Sequence, residues 1–459
     1  MAHIIDSEFY KDGWGTEEMR AIFSDRVRYQ RWLDIEKSLS KAQAQLGIIP
    51  KYAAEEIIKK ANIKILDLNR IKEGIVKTGH SLVPLLREVQ RNCKGDAGEY
   101  IHYGPTTQDI EDTGASLEIK DAYKIIMRDL FELEKIILKL ALKYKNFPMA
   151  GRTHNQQGLP ITLGLKFATW AAEIRRDIER MKDMKKRTFV GMLHGGTGTM
   201  AGLGEKAFEI IGLVMKDIGL EVPEIGWGSS RDYFTEYILV TGIVAGTLGK
   251  ISNEIYQLSR TEIGELSEPL PENYVGSSTM PHKKNAETSE FVVAMSKIVM
   301  NNCSLALQSM ISEHERDTRS WRLDWHTIPE NTILLSKMLQ ANIFLLKGLE
   351  IHEQKINKNL HLLKGMLFSE ALMLYLGRKI GKQTAHHVIQ NAVMESIAKN
   401  SNFKDLLLNI PEVKDHVTSE ELDQIMDYDK HIGKSIELVK MVVHKSKKLS
   451  KNDNKYLDF

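Results

Sequence analysis

The chain has 459 residues, of which 42% are hydrophobic and 27% are charged, and its 63 Lys and Arg residues nearly balance its 61 Asp and Glu residues. A chain of this length and composition is typical of a soluble globular protein of about two to four domains with a large core. The near-zero net charge argues against a general nucleic-acid binder, which would carry a concentrated basic excess, and against an acidic disordered tail.

The N-terminus and the cysteine content indicate a cytoplasmic protein. Residues 1–14 lack a basic region followed by an apolar run, so no secretory signal is expected. Cys93 and Cys303 are the only cysteines, too few for a disulfide framework or a thiolate zinc site. The longest uncharged apolar stretch, residues 237–249, is shorter than the roughly 18 residues that a membrane-spanning helix needs. We therefore expect no membrane partner and no nucleic-acid partner.

The elements, taken in chain order, predict an all-α fold with three domains. Residues 1–112 carry short helical patterns separated by Gly and Pro breaks and form an N-terminal helical domain. In residues 113–350, apolar residues return at steps of three and four, which predicts a bundle of long helices. Residues 351–459 form a C-terminal domain of short helices. The long helices are expected over residues 116–140, 163–184, 234–266, 285–312 and 331–349.

Residues 276–285 form the most unusual segment, because they lie between two long helices and carry Gly, Ser and Pro, which break helices. We predict a mobile loop whose amides and hydroxyls are free for a ligand. Lys283 and Asn285 are spaced to meet one anion, to which the start of the next helix adds its dipole. From the residues alone, this is either an anion-binding loop or a solvated Ser/Lys linker.

This segment, Gly-Ser-Ser-Thr-Met-Pro-His-Lys-Lys-Asn at residues 276–285, resembles the signature loop of the fumarase/aspartase superfamily, Gly-Ser-Ser-x-x-Pro-x-Lys-x-Asn. Residues 102–109 and 151–160 resemble the first and second substrate-binding segments of that family. Arg231-Asp232 and residues 365–386 fit its adenylosuccinate lyase and 3-carboxy-cis,cis-muconate cycloisomerase branch. The resemblance implies a three-domain fold whose central bundle joins a twenty-helix core in a homotetramer with shared active sites.

The resemblance also implies β-elimination on a small di- or tricarboxylate, usually with release of fumarate. It further implies that this reaction needs no cofactor and no metal. A proton next to a carboxylate is weakly acidic, so the enzyme must stabilise an aci-carboxylate dianion, a task suited to Lys283, Asn285 and loop amides. By family analogy Ser277 is the base, activated when the loop closes. His154, which we place at a helix start, holds the position of the general acid, and His80 assists it and binds substrate. Which histidine carries the proton stays open.

The remaining site residues come from the same segments and are assigned to substrate binding: Thr106, Thr107, Gln108, Asp109, Arg152, Thr153, Gln156, Ser278 and Met280. Arg319 and Arg322 lie in a later polar stretch and are placed to hold a phosphate. An Arg pair on a polar stretch is more often part of a solvated or ion-paired surface. The Gly-rich residues 194–202 miss the register of a dinucleotide loop and are expected to form a tight connection beside the site.

Two enzyme classes remain open within this branch. His80 and His154 favour an adenylosuccinate lyase, whereas the tryptophans in residues 313–330 resemble the cycloisomerase pattern, with Trp325 in the place of a phosphate-binding Arg. Our first hypothesis is a carbon-nitrogen lyase of purine biosynthesis that releases fumarate from adenylosuccinate or a related N-succinyl compound. The alternative is a 3-carboxy-cis,cis-muconate cycloisomerase. A non-catalytic scaffold is disfavoured because Ser277, Lys283, Asn285 and His154 are all retained.

Overall fold

The computed structural model describes residues 3–270 and 274–457 and confirms the all-α class, since strands are few and short. The N-terminal part packs around an apolar cluster that includes Trp32, Leu33 and Val89. Asp67 begins the fifth helix by accepting hydrogen bonds from two backbone amides, and Gly79 ends that helix with a φ of +65°. The helices of this part are α1 (Lys11–Trp14), α2 (Glu17–Ile22), α3 (Asp25–Gln45), α4 (Lys51–Lys60), α5 (Leu68–Thr78) and α6 (Val83–Asn92).

All five expected long helices are present in the central part, together with a shorter helix at Ala207–Ile218. Four of them lie close to the expected ranges, whereas the last begins at Thr318, well before residue 331, and contains Pro329. A proline usually ends a helix, and here it is accommodated inside one. The central helices are α7 (Thr107–Lys143), α8 (Leu163–Thr188), α9 (Ala207–Ile218), α10 (Asp232–Leu258), α11 (Glu287–Ser309) and α12 (Thr318–Lys347).

Helix α10 lies at the centre of the core and packs closely on α11. A Cβ atom at Gly242 would come within 2.2 Å of the sulfur of Cys303, and one at Gly249 within 2.6 Å of the hydroxyl of Ser296. The glycines therefore allow the two backbones to approach. By length and composition α10 could cross a membrane, but 67% of its most apolar stretch is buried in the protein, which is the packing of a core helix.

A hairpin replaces the helix start that we expected around His154. Strands β1 (Pro148–Thr153) and β2 (Gln156–Thr162) pair antiparallel, and His154 and Asn155 form the turn between them. Both turn residues have positive φ values, +50° and +60°, which suits the two-residue turns that join twisted strands. The period of the apolar residues did not reveal this hairpin, because its strands are short and half-exposed.

The C-terminal part packs around a separate apolar cluster that includes Phe368, Leu376 and Phe403. It is preceded by a two-stranded pairing of β3 (Leu266–Ser267) with β4 (Glu350–Ile351). Its last long helix, α19, returns to pack on α8 of the central bundle. The boundaries at residues 112 and 350 stay predictions. The C-terminal helices are α13 (Glu353–Leu360), α14 (Ser369–Ile380), α15 (Lys382–Lys399), α16 (Phe403–Leu407), α17 (Pro411–Lys414), α18 (Ser419–Ile425) and α19 (Ser435–Leu449).

Candidate active site

His80 lies at the start of α6, against the first turn of α7. Its Nδ1 accepts hydrogen bonds from the amides of Leu82 and Val83 at 3.3 and 3.2 Å, so the proton of the neutral ring resides on Nε2. Nε2 lies 3.4 Å from the hydroxyl of Thr107. Burial lowers the pKa of His80, and nearby positive groups, including Arg322, lower it further. His80 is therefore arranged as a neutral hydrogen-bond donor through Nε2.

Arg316 joins this cluster and was not among the residues chosen from the sequence. Its Nη1 donates to the hydroxyl of Thr106 at 2.7 Å, and the guanidinium forms no ion pair within residues 3–270 and 274–457. Thr106 itself begins α7, in a capping box with Asp109. A guanidinium without an ion-pair partner, beside a threonine hydroxyl, is suited to binding a carboxylate. The only sequence signal was its place in the polar stretch before α12.

Gln108 and Asp109 are buried and bonded to protein groups. The carboxylate of Asp109 accepts hydrogen bonds from the amides of Thr106, His194 and Gly195 at 2.8 to 2.9 Å. The amide of Gln108 donates to Asp112 and to the carbonyl of Gly228. In one chain the two side chains support the neighbouring loops, including the connection at residues 194–202, which does lie beside the cluster.

The two arginines expected to hold a phosphate have different surroundings. Arg319 bonds the carboxylates of Asp317 and Glu313, each at 2.8 Å, so the ion-paired interpretation applies to it. Arg322 is exposed and stacks on the ring of Trp325, with its guanidinium carbon 4.3 Å from the ring centre. Arg322 has no ion-pair partner at salt-bridge distance in the part of the chain that the structure describes. Only one of the two arginines is thus available to a ligand.

The hairpin turn presents His154 at the surface, next to the exposed side chains of Thr153 and Gln156. Arg152, at the base of the turn, forms a double hydrogen bond with the buried carboxylate of Glu265 at 2.9 and 2.5 Å. Asn359 donates to the same carboxylate at 2.9 Å. Arg152 therefore anchors the hairpin to the segment after α10, and within one chain its guanidinium is already occupied.

In the signature loop, the hydroxyl oxygen of Ser277 accepts hydrogen bonds from the amides of Thr279 and Met280 at 3.3 and 3.0 Å. The amide group of Asn285 donates to the carbonyl of Gly276 at 2.7 Å, which closes the loop on itself. The side chains of Ser278, Met280 and Lys283 are exposed. The loop thus presents a serine oxygen that already receives two amide donors.

The start of α11 is not free for a ligand, which corrects the expectation that its dipole helps to bind an anion. The carboxylate of Glu268 accepts hydrogen bonds from the amides of Thr288 and Ser289 at 3.1 and 2.7 Å. Glu268, which is distant in sequence, thereby caps α11. The residue at the N-cap position itself, Ala286, has no side-chain atom that can accept a hydrogen bond. Sequence spacing could not reveal this contact, because Glu268 precedes the loop and its partners follow it.

The candidate residues lie at opposite ends of the central bundle. Buried Arg231 bonds Asp112 and Asp324, so the starts of α7, α10 and α12 meet beside His80. The signature loop and the hairpin lie at the other end of α10, held by the contacts of Glu265 and Glu268. The 27 residues of α10 separate the two ends by about 40 Å at ~1.5 Å per residue. Within the described residues, no hydrogen bond or ion pair links His154 or Ser277 to the His80 cluster.

The described residues contain no group of three or more His, Cys, Asp or Glu side chains that could hold a metal ion. The functional side chains are instead acid–base groups, hydroxyls and cations suited to carboxylates.

Comparison with known proteins identifies the family. A family described as "Lyase" matches residues 14–301, and one described as "Adenylosuccinate lyase C-terminus" matches residues 365–442. The chain belongs to the fumarase/aspartase superfamily. Within this superfamily it is 41% identical to an N-acetyl-S-(2-succino)cysteine lyase of Dickeya dadantii, over 96% of this chain and 97% of that protein.

Other superfamily members match along similar lengths. An adenylosuccinate lyase of Methanocaldococcus jannaschii is 38% identical over 94% of each chain. The crystal structure of the 3-carboxy-cis,cis-muconate lactonizing enzyme from Pseudomonas putida superposes with a TM-score of 0.90 at 30% identity, covering 97% of this chain and 100% of that one. The predicted family is thus confirmed, and the protein is a lyase homologue throughout its length.

Proposed function

We propose that this superfamily member is a fumarate-releasing lyase that acts by β-elimination on a succinyl compound. Ser277 reacts as the alkoxide, its own proton having passed to solvent water before the loop closes, and its Oγ takes the proton from the carbon next to a substrate carboxylate. The electron pair passes into an aci-carboxylate, to which Lys283 and Asn285 supply positive charge and a hydrogen bond. The bond to nitrogen or sulfur then breaks, and its electron pair leaves with that atom. The observation that carries this proposal is the pair of amides already donating to Ser277 Oγ, because they stabilise the alkoxide that a serine base requires.

The two histidines take different roles in this mechanism. His80 is held neutral, with its Nδ1 occupied by two backbone amides, so it donates a hydrogen bond through Nε2 and does not deliver a proton. His154, exposed at the turn of the hairpin, is then the group that protonates the leaving atom. Arg316, Thr106 and Thr107 hold a substrate carboxylate beside His80.

The active site is assembled from more than one chain. His80 and the pair Ser277 and His154 lie at opposite ends of α10, whose 27 residues span about 40 Å, so His80 is too far from the other two to meet the same small substrate in a single chain. Large apolar side chains also lie exposed along the central helices. They include Ile243, Phe291, Met300, Leu307 and Phe344, each exposed by 40 to 49%. A cytoplasmic homotetramer with shared sites, as the family resemblance implies, covers such surfaces and joins the two ends.

For the substrate, we favour an S-succinyl or N-succinyl compound whose leaving half is smaller than a nucleotide. Arg319 is occupied by two carboxylates and Trp325 stands where a phosphate-binding Arg was expected, so of these three positions only Arg322 could bind a nucleotide phosphate. The 41% identity to an N-acetyl-S-(2-succino)cysteine lyase supports a thioether substrate. Adenylosuccinate is the second candidate, supported by the 38% identity to an adenylosuccinate lyase and by His80 and His154.

The test gives the purified protein three compounds, namely N-acetyl-S-(2-succino)cysteine, adenylosuccinate and 3-carboxy-cis,cis-muconate, and measures fumarate release from the first two and lactone formation from the third. We expect kcat/KM for N-acetyl-S-(2-succino)cysteine to be at least roughly 10²-fold above kcat/KM for adenylosuccinate. The loss of one charged contact to the nucleotide phosphate accounts for a difference of this size. Preferred release from adenylosuccinate would move the protein to purine biosynthesis. Lactone formation from carboxymuconate, without fumarate from either succinyl compound, would overturn the proposal.

A further inference from the structure

Glu111 is a buried acid that the mechanism above does not use. It lies on α7, one helical turn after Thr107, and only 4% of its surface is exposed. Its Oε1 accepts a hydrogen bond from the hydroxyl of Ser81, the residue that directly follows His80. The carboxyl group therefore ties the turn that carries His80 to the helix that carries Thr107.

The second oxygen of Glu111 shares a crevice with a second unpartnered oxygen. Oε2 of Glu111 and Oδ1 of Asp324 are both buried, and neither has a hydrogen-bond partner in the described chain. Both side chains line one crevice of about 20 Å³. Ser309 lies beside Asp324, but its hydroxyl donates to the carbonyl of Ala306 at 2.7 Å. Two buried acceptors facing one space require a donor between them, and the space is large enough for one water.

The charges around this crevice act on Glu111 in opposite directions, because Asp112 favours its protonated form while Arg28 and Arg322 favour its ionised form. The charged and titratable groups around Glu111 and the crevice are Arg28 and Tyr29 on α3, Asp112 and Glu118 on α7, Arg231 before α10, and Arg322 and Asp324 on α12. Arg28 bonds both oxygens of Glu118, and Arg231 is shared between two carboxylates. No cation of the described residues lies within ion-pair distance of Glu111.

Burial is the main cause that raises the pKa of Glu111 to about 7. Asp112 raises it further, against the opposing effects of the Ser81 hydrogen bond and the two nearest arginines. Burial likewise raises the pKa of Asp324, to about 6, against the opposing effect of Arg231.

We propose that Glu111 is a positioning residue for His80 that acts in its protonated form and, through one water in the crevice, shares its proton with Asp324. Oε1 accepts from Ser81, Oε2–H donates to the water, and the water donates to Oδ1 of Asp324, so both unpartnered oxygens are satisfied. This arrangement fixes the turn at Ser81, and with it the Nε2–H of His80 that faces Thr107.

The proton is tested first without any substrate, by the thermal stability of Glu111→Gln and wild type between pH 4.5 and 8.5. In the unfolded chain Glu111 ionises around 4.5 and in the folded chain around 7, so wild type loses stability as pH rises between these values. Gln cannot ionise, and the Tm of Glu111→Gln minus that of wild type should rise across this window and level off above about pH 7. The exposed control Glu55→Gln should give a flat difference. A flat difference for Glu111→Gln as well would overturn the proposal.

The effect on His80 rests on the proposed function and is tested by fumarate release. Glu111→Gln mimics the protonated acid and should keep kcat/KM within about threefold of wild type at pH 6, because its amide replaces the O–H donor. In wild type, kcat/KM should decline as pH rises, with one step centred near pH 7 where Glu111 ionises, and Glu111→Gln should lack this step. Ser81→Ala, which removes the link to His80, should lower kcat/KM about tenfold. A Glu111→Gln pH profile identical to that of wild type would refute the link to His80.

The two tests separate the two ideas. If wild type releases fumarate from no succinyl compound, the proposed function fails, whereas the stability difference still decides the state of Glu111. A crystal structure that showed no water between Glu111 and Asp324 would overturn the shared-proton arrangement independently of both.

Discussion

At the scale of single residues, the site is defined by which polar groups already have protein partners. Asp109 is used by three backbone amides, and Arg152 by a buried glutamate. Both were natural candidates from their motifs, but their hydrogen-bonding capacity within the chain is occupied. Among the described residues, the groups that remain available to a substrate include His80 through its Nε2, His154, Ser277, Lys283, Arg316 and Arg322.

Ser277 and Ser278 form a matched pair for testing the base. Ser277 Oγ receives two amide donors, whereas the neighbouring Ser278 is exposed and receives none among the described residues. Ser277→Ala should lower kcat of fumarate release by about 10³-fold or more, in the range of a lost general base. Ser278→Ala should stay within about tenfold of wild type, as for one lost hydrogen bond. Equal activity of Ser277→Ala and wild type would remove the base assignment.

The two histidines differ in whether an amide can replace them. His80 acts as a neutral donor, so His80→Gln should keep about a tenth of the wild-type kcat/KM, whereas His80→Ala should lose about 10²-fold. His154 transfers a proton, which an amide cannot do, so His154→Gln should lose about 10²- to 10⁴-fold. Steady-state kinetics of the three variants decide the assignment. If His80→Gln fell as far as His80→Ala, the neutral-donor role would be wrong.

At the scale of elements, the packing of α10 on α11 depends on small residues at defined points. The methyl group of Gly242→Ala would lie 2.2 Å from the sulfur of Cys303, so the helices must separate. We expect a loss of about 1–3 kcal/mol in the free energy of unfolding, measured by denaturant titration. Cys303→Ala removes the obstructing sulfur, and the double variant should recover most of the loss. Additive losses in the double variant would show that the contact is not limiting.

The sequence predicted the long helices well but not the short hairpin or the contacts between distant segments. Four long helices were predicted near their observed ranges because apolar periodicity over twenty or more residues is unambiguous. The fifth is predicted to start at residue 331, whereas the observed helix starts at Thr318 and contains Pro329, a residue that usually ends a helix. The sequence predicts a helix start at His154 and not the observed hairpin, because the two short strands show no clear alternation of apolar and polar residues. The motif residues were found, but their partners Glu265, Glu268 and Arg316 were not, because these contacts join segments distant in sequence.

At the scale of the whole molecule, the long helices set the distance that the active site must bridge. A substrate the size of a succinyl amino acid cannot contact both ends of α10, about 40 Å apart. In the proposed homotetramer, antiparallel association of central bundles would bring the start of one α7 to the signature loop of another chain and cover the exposed apolar side chains. The closely packed bundle would then act as a rigid spacer, and we expect catalysis to depend on assembly.

The most direct test of this account mixes two inactive variants. Ser277→Ala and His80→Ala should each release little fumarate when assembled alone. When the two variants are unfolded together, refolded and reassembled, activity should return to about a quarter of that of wild type. Random association gives about a quarter of the sites an intact Ser277 from one chain and an intact His80 from another. Wild type taken through the same procedure is the control. Recovery to that level would support both the elimination chemistry and the shared site. No recovery, with tetramers intact by light scattering, would contradict the assignment of His80 and Ser277 to different chains of one site.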